Sequence, residues 1–269
     1  GTLFNASFKQ PYHRWTADQM IKLAYNNNQP RTHCKTGGNL CFKPGTNYMY
    51  SNTAYLLAGK IIESVTNHTL EYEMQHRLLG PKSKLGKLNN TYYLVNYPAG
   101  IMRRLVHGYG LLAPNIPHAF DWLTQDFTQL NMYTTAADGG NISNSEDIVL
   151  WSRLLLQTNK IMQPHQQQQL KQLICNDRNS SFFGQQVNLI GKTCKQGYGL
   201  GVIKKYNIKF GPVWTYQGEN VGYTSVYYLF QKSNIDIAIQ RGSAVNTNFK
   251  PLLSKLLHIL NHYKANRSP

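Results

Sequence analysis

Acidic residues are scarce in this sequence. Twelve Asp and Glu stand against 28 Lys and Arg among 269 residues, a formal charge of +16. An excess of that size draws the chain toward anionic surroundings: nucleic acid, a membrane surface, a wall polymer or an anionic substrate. The cations are scattered, densest at Lys82, Lys84 and Lys87 and at Arg103 and Arg104. No nucleic-acid fold signature surrounds them, so no nucleic-acid partner is expected, while association with an anionic cell-wall or membrane surface stays open. Long apolar runs are also lacking. The best candidate, Leu252 to Leu260, is broken by Ser254, Lys255 and His258, and nothing reaches the 18 or so residues needed to cross a bilayer as a helix. No basic, then apolar, leader follows Gly1, so any export signal is expected to have been removed or to lie upstream.

Cysteine is sparse too. The four fall as two close pairs, Cys34 with Cys41 and Cys175 with Cys194, each in polar, turn-rich sequence. Two local disulfides are the natural reading, which favours an oxidising compartment and a periplasmic or secreted protein. A zinc site is the rival, but no Cys-x-x-Cys occurs and His33 completes no familiar ligand spacing, so neither a metal nor another cofactor is expected.

What the sequence does hold is enough apolar material, 41%, for a substantial core. Thr16 and Gln19 have capping-box spacing, and Met20, Ile21, Leu23 and Ala24 give the following helix its apolar face. From Thr53 to Thr66, Tyr55, Leu56, Gly59, Ile62 and Val65 recur at helical spacing. Residues 67–135 read as short helices and loops. Ser143 and Glu146 are again spaced as a capping box before a helix marked by Ile148, Trp151, Leu154 and Leu155, and a further helix is predicted over Pro164 to Leu173. Strands are predicted over Tyr198–Lys205, Val213–Gln217, Val221–Phe230 and Ile235–Arg241, joined by short turns and therefore antiparallel. A helix from about Pro251 to His262 closes the chain. The expectation is an α+β fold: an antiparallel sheet flanked by helices, with the terminal helix across one face, and a mainly helical part. We expect one domain, with residues 1–195 mainly helical and loop, and residues 196–269 holding the strands and the last helix.

The run Lys43-Pro44-Gly45 to Tyr50-Ser51-Asn52 and on through Gly59, Ile61-Ile62-Glu63 resembles the second active-site block of serine β-lactamases and penicillin-binding proteins of the class C and D-Ala-D-Ala carboxypeptidase type. The resemblance implies that Tyr50 exchanges a proton during catalysis, its phenol pKa lowered by nearby ammonium groups, and that Asn52 offers its amide to the substrate's acylamino carbonyl. The competing reading is that Tyr50 and Asn52 only pack against and cap a helix. A second stretch, Tyr216-Gln217-Gly218-Glu219 followed by Gly222-Tyr223, resembles the family's Lys/His-Thr/Ser-Gly strand. There the strand edge would pair with a ligand amide, Gly218 would permit close approach, and the backbone N–H of Glu219 would help hold an oxyanion. Tyr216 and Gln217 replace the family's cation and hydroxyl, which points away from a β-lactam carboxylate and toward a neutral ester or amide. Ala136 to Trp151, and Arg104 to Tyr109, are similar to structural segments of the same family.

The family's nucleophile lies in Ser-x-x-Lys, and no such motif occurs in these 269 residues; Thr32-His33-Cys34-Lys35 is a poor imitation. Gly1-Thr2-Leu3 resembles the end of a segment that follows that motif, so the chain is expected to begin inside the family's domain, N-terminally truncated. The resemblance implies a serine hydrolase working through an acyl-enzyme on a small-molecule or peptide substrate: a β-lactam, a D-Ala-D-Ala peptide or an ester. The alternative is a non-catalytic relative that keeps the cleft to bind wall peptide or a partner.

Overall fold

The computed structural model describes residues 13, 15–25, 41–80, 83, 88–93, 100–110, 125–129, 135–188, 190–207, 210–244 and 248–265. Helix α1 (Ala17–Tyr25) starts at the expected capping box. The Gln19 amide donates to Thr16 Oγ1 at 3.2 Å and the Thr16 amide to Gln19 Oε1 at 2.8 Å, so two N–H groups that lack helical partners are satisfied reciprocally. Helix α2 (Asn52–Thr66) buries Leu56 and Gly59 and ends at Asn67, whose left-handed backbone returns its N–H to the Glu63 carbonyl. Helix α3 (Leu70–Glu73) passes directly into a π-helical turn, Met74–Leu79. Then come α4 (Ile101–Arg104), α5 (Ala136–Gly139), α6 (Ser145–Gln157), α7 (Pro164–Leu170) and α8 (Lys250–Ala265).

Strands β1 (Tyr92–Tyr93) and β2 (Asn141–Ile142) make a small antiparallel pair. The main sheet is antiparallel throughout, in the order β4-β3-β5-β6-β7-β8-β9, from β3 (Leu173–Cys175), β4 (Gln186–Val187), β5 (Gln196–Tyr198), β6 (Ile203–Asn207), β7 (Gly211–Asn220), β8 (Tyr223–Phe230) and β9 (Ile235–Arg241). Side chains on a strand alternate between faces, and the core divides accordingly. Trp214 and Leu229, paired across β7 and β8, lie with Val202, Leu155 and Leu156 of α6 and the Cys175–Cys194 disulfide. The alternate residues Val213 and Phe230, with Ile235 and Ile237, meet Leu253 and Leu257 of α8. Helix α6 thus covers one face and α8 the other, the layered α+β arrangement expected from the pattern.

Several boundaries differ from the sequence reading. The cap of α6 is Asn144, not Ser143: its side chain accepts the Asp147 amide at 2.8 Å. Ser143 instead bonds the Thr91 hydroxyl at 2.8 Å, and the Asp147 carboxylate takes the Asn90 amide and the Thr91 hydroxyl, both at 2.8 Å, tying β1 to the helix start. Helix α7 ends at Leu170 because Leu173 is drawn into the sheet opposite Val187. The segment expected as one strand from Tyr198 to Lys205 is a hairpin: Gly201, at φ +76°, turns the chain and the Gly199 amide reaches the Val202 carbonyl at 2.7 Å. Strands β3 and β4, of three and two residues, fall before residue 196 and carry too little pattern to be read.

Cys175 and Cys194 are bonded to each other as expected. Cys41 is also in a disulfide; Cys34, and hence the Cys34–Cys41 pairing, lies outside the described residues. Cys175 and Cys194 are 0% and 1% exposed and 19 positions apart. Replacing both by Ala is expected to lower the unfolding free energy by about 3 kcal/mol, since the unfolded chain regains the freedom of that loop. Urea denaturation of the double variant measures this, and an unchanged midpoint would mean the sheet does not lean on the crosslink.

Candidate functional site

Strand β7 is longer than its partner β6. Pairing between them runs from Gly211↔Asn207 to Thr215↔Ile203 and stops, whereas β8 accompanies β7 as far as Asn220. Among the described residues, Tyr216–Asn220 therefore has a strand neighbour on one side only. A cleft of about 980 Å³ opens along this stretch, and Tyr50, Asn52, Tyr216, Gln217, Gly218 and Glu219 all line it. The structure brings the six site residues named from the sequence to one place.

Each wall has a local cause. The Thr46 amide closes a turn on the Lys43 carbonyl at 3.1 Å with Gly45 at φ +78°, and the chain then runs extended through Tyr48 and Tyr50 to Ser51, the N-cap of α2. Asn52 is thus the first residue of the helix and not its cap. Gly184 holds this run down: a Cβ there would sit 2.6 Å from Asn47 Oδ1. On another side the chain at Gly108 crosses Gly222 so closely that a Cβ on Gly222, itself at φ +77°, would lie 2.8 Å from the Gly108 carbonyl carbon. Gly218 differs. A Cβ there would meet no atom within 4 Å, so the fold itself does not demand glycine, and the space beside it belongs to the cleft.

The cleft is rich in phenols. Tyr55 and Tyr198 share a hydroxyl–hydroxyl hydrogen bond, and Tyr198 Oη lies 3.2 Å from Tyr216 Oη. The Tyr50 ring stands 5.8 Å from that of Tyr55 and 6.1 Å from that of Tyr198, and Tyr48 lies 5.1 Å from Tyr198. Burial drives the phenol of Tyr48 up to about 12. It raises Tyr50 too, reinforced by the hydrogen bond to Tyr216 and by the negative charges of Tyr216 and Asp138. Tyr198 and Tyr216 are raised as well, again chiefly by burial. The expectation of a lowered Tyr50 is therefore overturned: the groups acting on it are phenols and a carboxylate, and both disfavour a phenolate.

Two residues in β7 are satisfied by each other: Gln217 Nε2 donates to Glu219 Oε1 at 2.9 Å. Two arginines also line the cleft where Tyr216 supplies no cation. Arg104 donates to Asn90 Oδ1 at 3.2 Å, and the Arg241 guanidinium lies 4.8 Å over the Phe249 ring.

Asp138, within the Ala136 to Trp151 segment, is a cleft residue that the sequence pattern does not single out. Helix α5 wedges it into the cleft. Gly59 of α2 lets Ala137 approach, where a Cβ would be 3.1 Å from the Ala137 Cβ, and on the other side Asn220 Nδ2 donates to Thr135 Oγ1 at 3.4 Å. Burial lifts the Asp138 carboxyl from 3.8 to about 6, opposed only by its own backbone N–H, and Oδ1 is buried with no hydrogen-bond partner. Among the described residues no cluster of three or more His, Cys, Asp and Glu could hold a metal ion.

The sequence matches the β-lactamase family model over residues 12–251. The chain belongs to the β-lactamase family. Among solved structures it is similar to a D-stereospecific amidohydrolase from Streptomyces sp., at 21% identity and TM-score 0.70, covering 92% of this chain and 62% of that one. It is also similar to the D-amino acid amidase of Ochrobactrum anthropi SV3 complexed with D-phenylalanine, at 19% identity and TM-score 0.67, covering 95% and 66%. The penicillin binding protein of Bacillus halodurans matches at 15% identity and TM-score 0.62, covering 96% and 67%. At such identities these likenesses establish the fold. The chain spans about 62% of the length of the amidohydrolase. The family comprises hydrolases, and no helix among the described residues is long and apolar enough to cross a membrane.

The Asp138 environment predicts a pH signature. Its folded pKa lies above the unfolded value, so between about pH 4 and 6 the native state holds more protons than the unfolded chain and stability falls as pH rises through that window. The cost at pH 7 is about 3 kcal/mol. Asp138→Asn is expected to raise Tm at pH 7.5 and to match the parent at pH 4; equal Tm values at both would place the carboxyl in a less desolvated setting.

Proposed function

We propose that this chain provides the substrate cleft and proton-transfer half of a serine hydrolase that cleaves a neutral amide or ester through an acyl-enzyme. The observation that carries this reading is the one-sided stretch of β7, Tyr216–Asn220, lying in the same cleft as Tyr50 and Asn52. An extended ligand can pair its backbone with such an edge as an additional strand, with the Glu219 N–H available to a developing oxyanion.

The nucleophile in this reading is the serine of a Ser-x-x-Lys segment outside these 269 residues. The lysine amine of that segment takes the Oγ proton as Oγ attacks the carbonyl carbon, and the tetrahedral intermediate collapses with cleavage of the C–N or C–O bond. Tyr50, protonated at neutral pH, gives its proton to the leaving amine or alcohol, and water then cleaves the acyl ester in the reverse sense. A lysine ammonium brought beside Tyr50 would stabilise the phenolate that this donation leaves. Asn52 orients the ligand through its side-chain amide.

The neutral substrate follows from Tyr216 and Gln217, which stand where the family carries a cation and a hydroxyl. The likeness to a D-stereospecific amidohydrolase and a D-amino acid amidase fits an amide of a D-amino acid. The Cys175–Cys194 disulfide fits a periplasmic or secreted site of action, and the +16 charge fits attraction to an anionic wall or membrane surface. A second reading, a non-catalytic binding protein on this scaffold, is favoured by the same two substitutions.

The test is intact-protein mass spectrometry on the product of the full reading frame after incubation with a D-amino acid p-nitrophenyl ester. Gain of one acyl group, lost when the Ser of Ser-x-x-Lys is replaced, is the expected result, and Tyr50→Phe should lower kcat by about 100-fold or more. No adduct and no turnover from a frame without Ser-x-x-Lys would favour the binding protein.

A further inference from the structure

The cleft holds two carboxylates of different character. Glu219 is exposed and accepts a hydrogen bond from Gln217. Asp138 lines the same cleft, yet its Oδ1 is buried with no partner and its own backbone N–H is the single donor acting on it among the described residues. Helix α5 is held on two sides, by Ala137 against Gly59 of α2 and by Thr135 against Asn220 of β7, which fixes the backbone position of Asp138 at the cleft. A buried carboxylate kept in that state is poorly compensated by anything in the fold.

We propose that Asp138 is the anchor for a ligand's ammonium group, and that the cleft therefore selects amino-acid amides or esters with a free amino terminus over N-acylated ones. This rests on the amide- or ester-hydrolase reading of the cleft. An ammonium brings three donors and a full positive charge. One donor can go to the Asp138 carboxylate where it lines the cleft, and Tyr50, which is close enough to feel the Asp138 charge, offers a hydroxyl acceptor for another. An N-acyl group brings one neutral N–H, with no positive charge to offset the carboxylate, and a bulky carbonyl whose oxygen the carboxylate repels. The phenol walls of Tyr48, Tyr198 and Tyr216 complement this by giving the ligand's side chain apolar and aromatic surface. Asp138 acts here in recognition; its carboxylate touches the ligand's ammonium and takes no part in bond cleavage.

The experiment is isothermal titration calorimetry of the product of the full reading frame, with the serine of Ser-x-x-Lys replaced by Ala so that binding is read without turnover, at pH 7.5 with D-phenylalanine amide and with N-acetyl-D-phenylalanine amide. The free amine is expected to bind at least about tenfold more tightly, and Asp138→Asn, folded by circular dichroism, to bind the two alike; Asp138→Ser serves if the Asn variant does not fold. Equal binding of both ligands by the protein with Asp138 intact, or a preference that survives removal of the carboxylate, overturns the inference and leaves the cleft as an amide site. Failure of both ligands to bind overturns both this inference and the reading of the cleft.

Discussion

The site depends on a mismatch in strand length. Strand β6 cannot follow β7 beyond Thr215 because the chain has only just left the Gly199–Gly201 turn when β6 begins at Ile203. Everything C-terminal to Thr215 on β7 is consequently deprived of a neighbour on that side, while the β8 ladder holds it straight. The same turn fixes the end of β5 and so leaves Tyr198 within hydrogen-bond reach of Tyr55 and Tyr216. An open edge and a wall of phenols thus follow from one hairpin, and the two-faced core, α6 on one side and α8 on the other, makes that edge rigid enough to serve as a template.

Around this edge the electrostatics are poised for something positive. Tyr50, Tyr198 and Tyr216 all hold their protons more tightly than a free phenol, and Asp138 is ionised only against the cost of its burial. Each of these shifts has the same sign, disfavouring negative charge, and a cation placed among them would oppose all of them together. Binding sites commonly keep such unfavourable local arrangements, which the rest of the fold must support. Here the support comes from the Gly59–Ala137 contact, the Gly108–Gly222 crossing and the disulfide beneath β3 and β5.

Much of this was legible in the sequence, for identifiable reasons. Helical periodicity after Asn52 and the alternation of Ile235, Ile237 and Ile239 show where a helix and a sheet lie, while the cleft residues on them, Tyr50 and Asn52 on one wall and Tyr216 to Glu219 on the other, are named by the resemblance of their motifs to the family's. The hairpin at Gly199–Gly201 is hidden in the sequence because apolar residues alternate with glycine at Tyr198, Leu200 and Val202, straight across the turn. Asn144 displaced Ser143 as cap through a one-residue shift that local pattern does not resolve. The direction of the Tyr50 shift was misjudged because it depends on which charged groups lie nearby in space, and Asp138 was missed because Asp-Gly-Gly is an ordinary turn sequence. What makes Asp138 notable is the company it keeps, α2 on one side and β7 on the other, and neither is near it in sequence.

The central claim, that Tyr216–Asn220 is a ligand-pairing edge, is tested most directly by hydrogen–deuterium exchange of the chain with and without saturating D-phenylalanine amide. The account predicts slowed exchange concentrated in residues 216–220, with β8 and β9 unchanged. Ligand-dependent protection elsewhere, with none in this stretch, would contradict it.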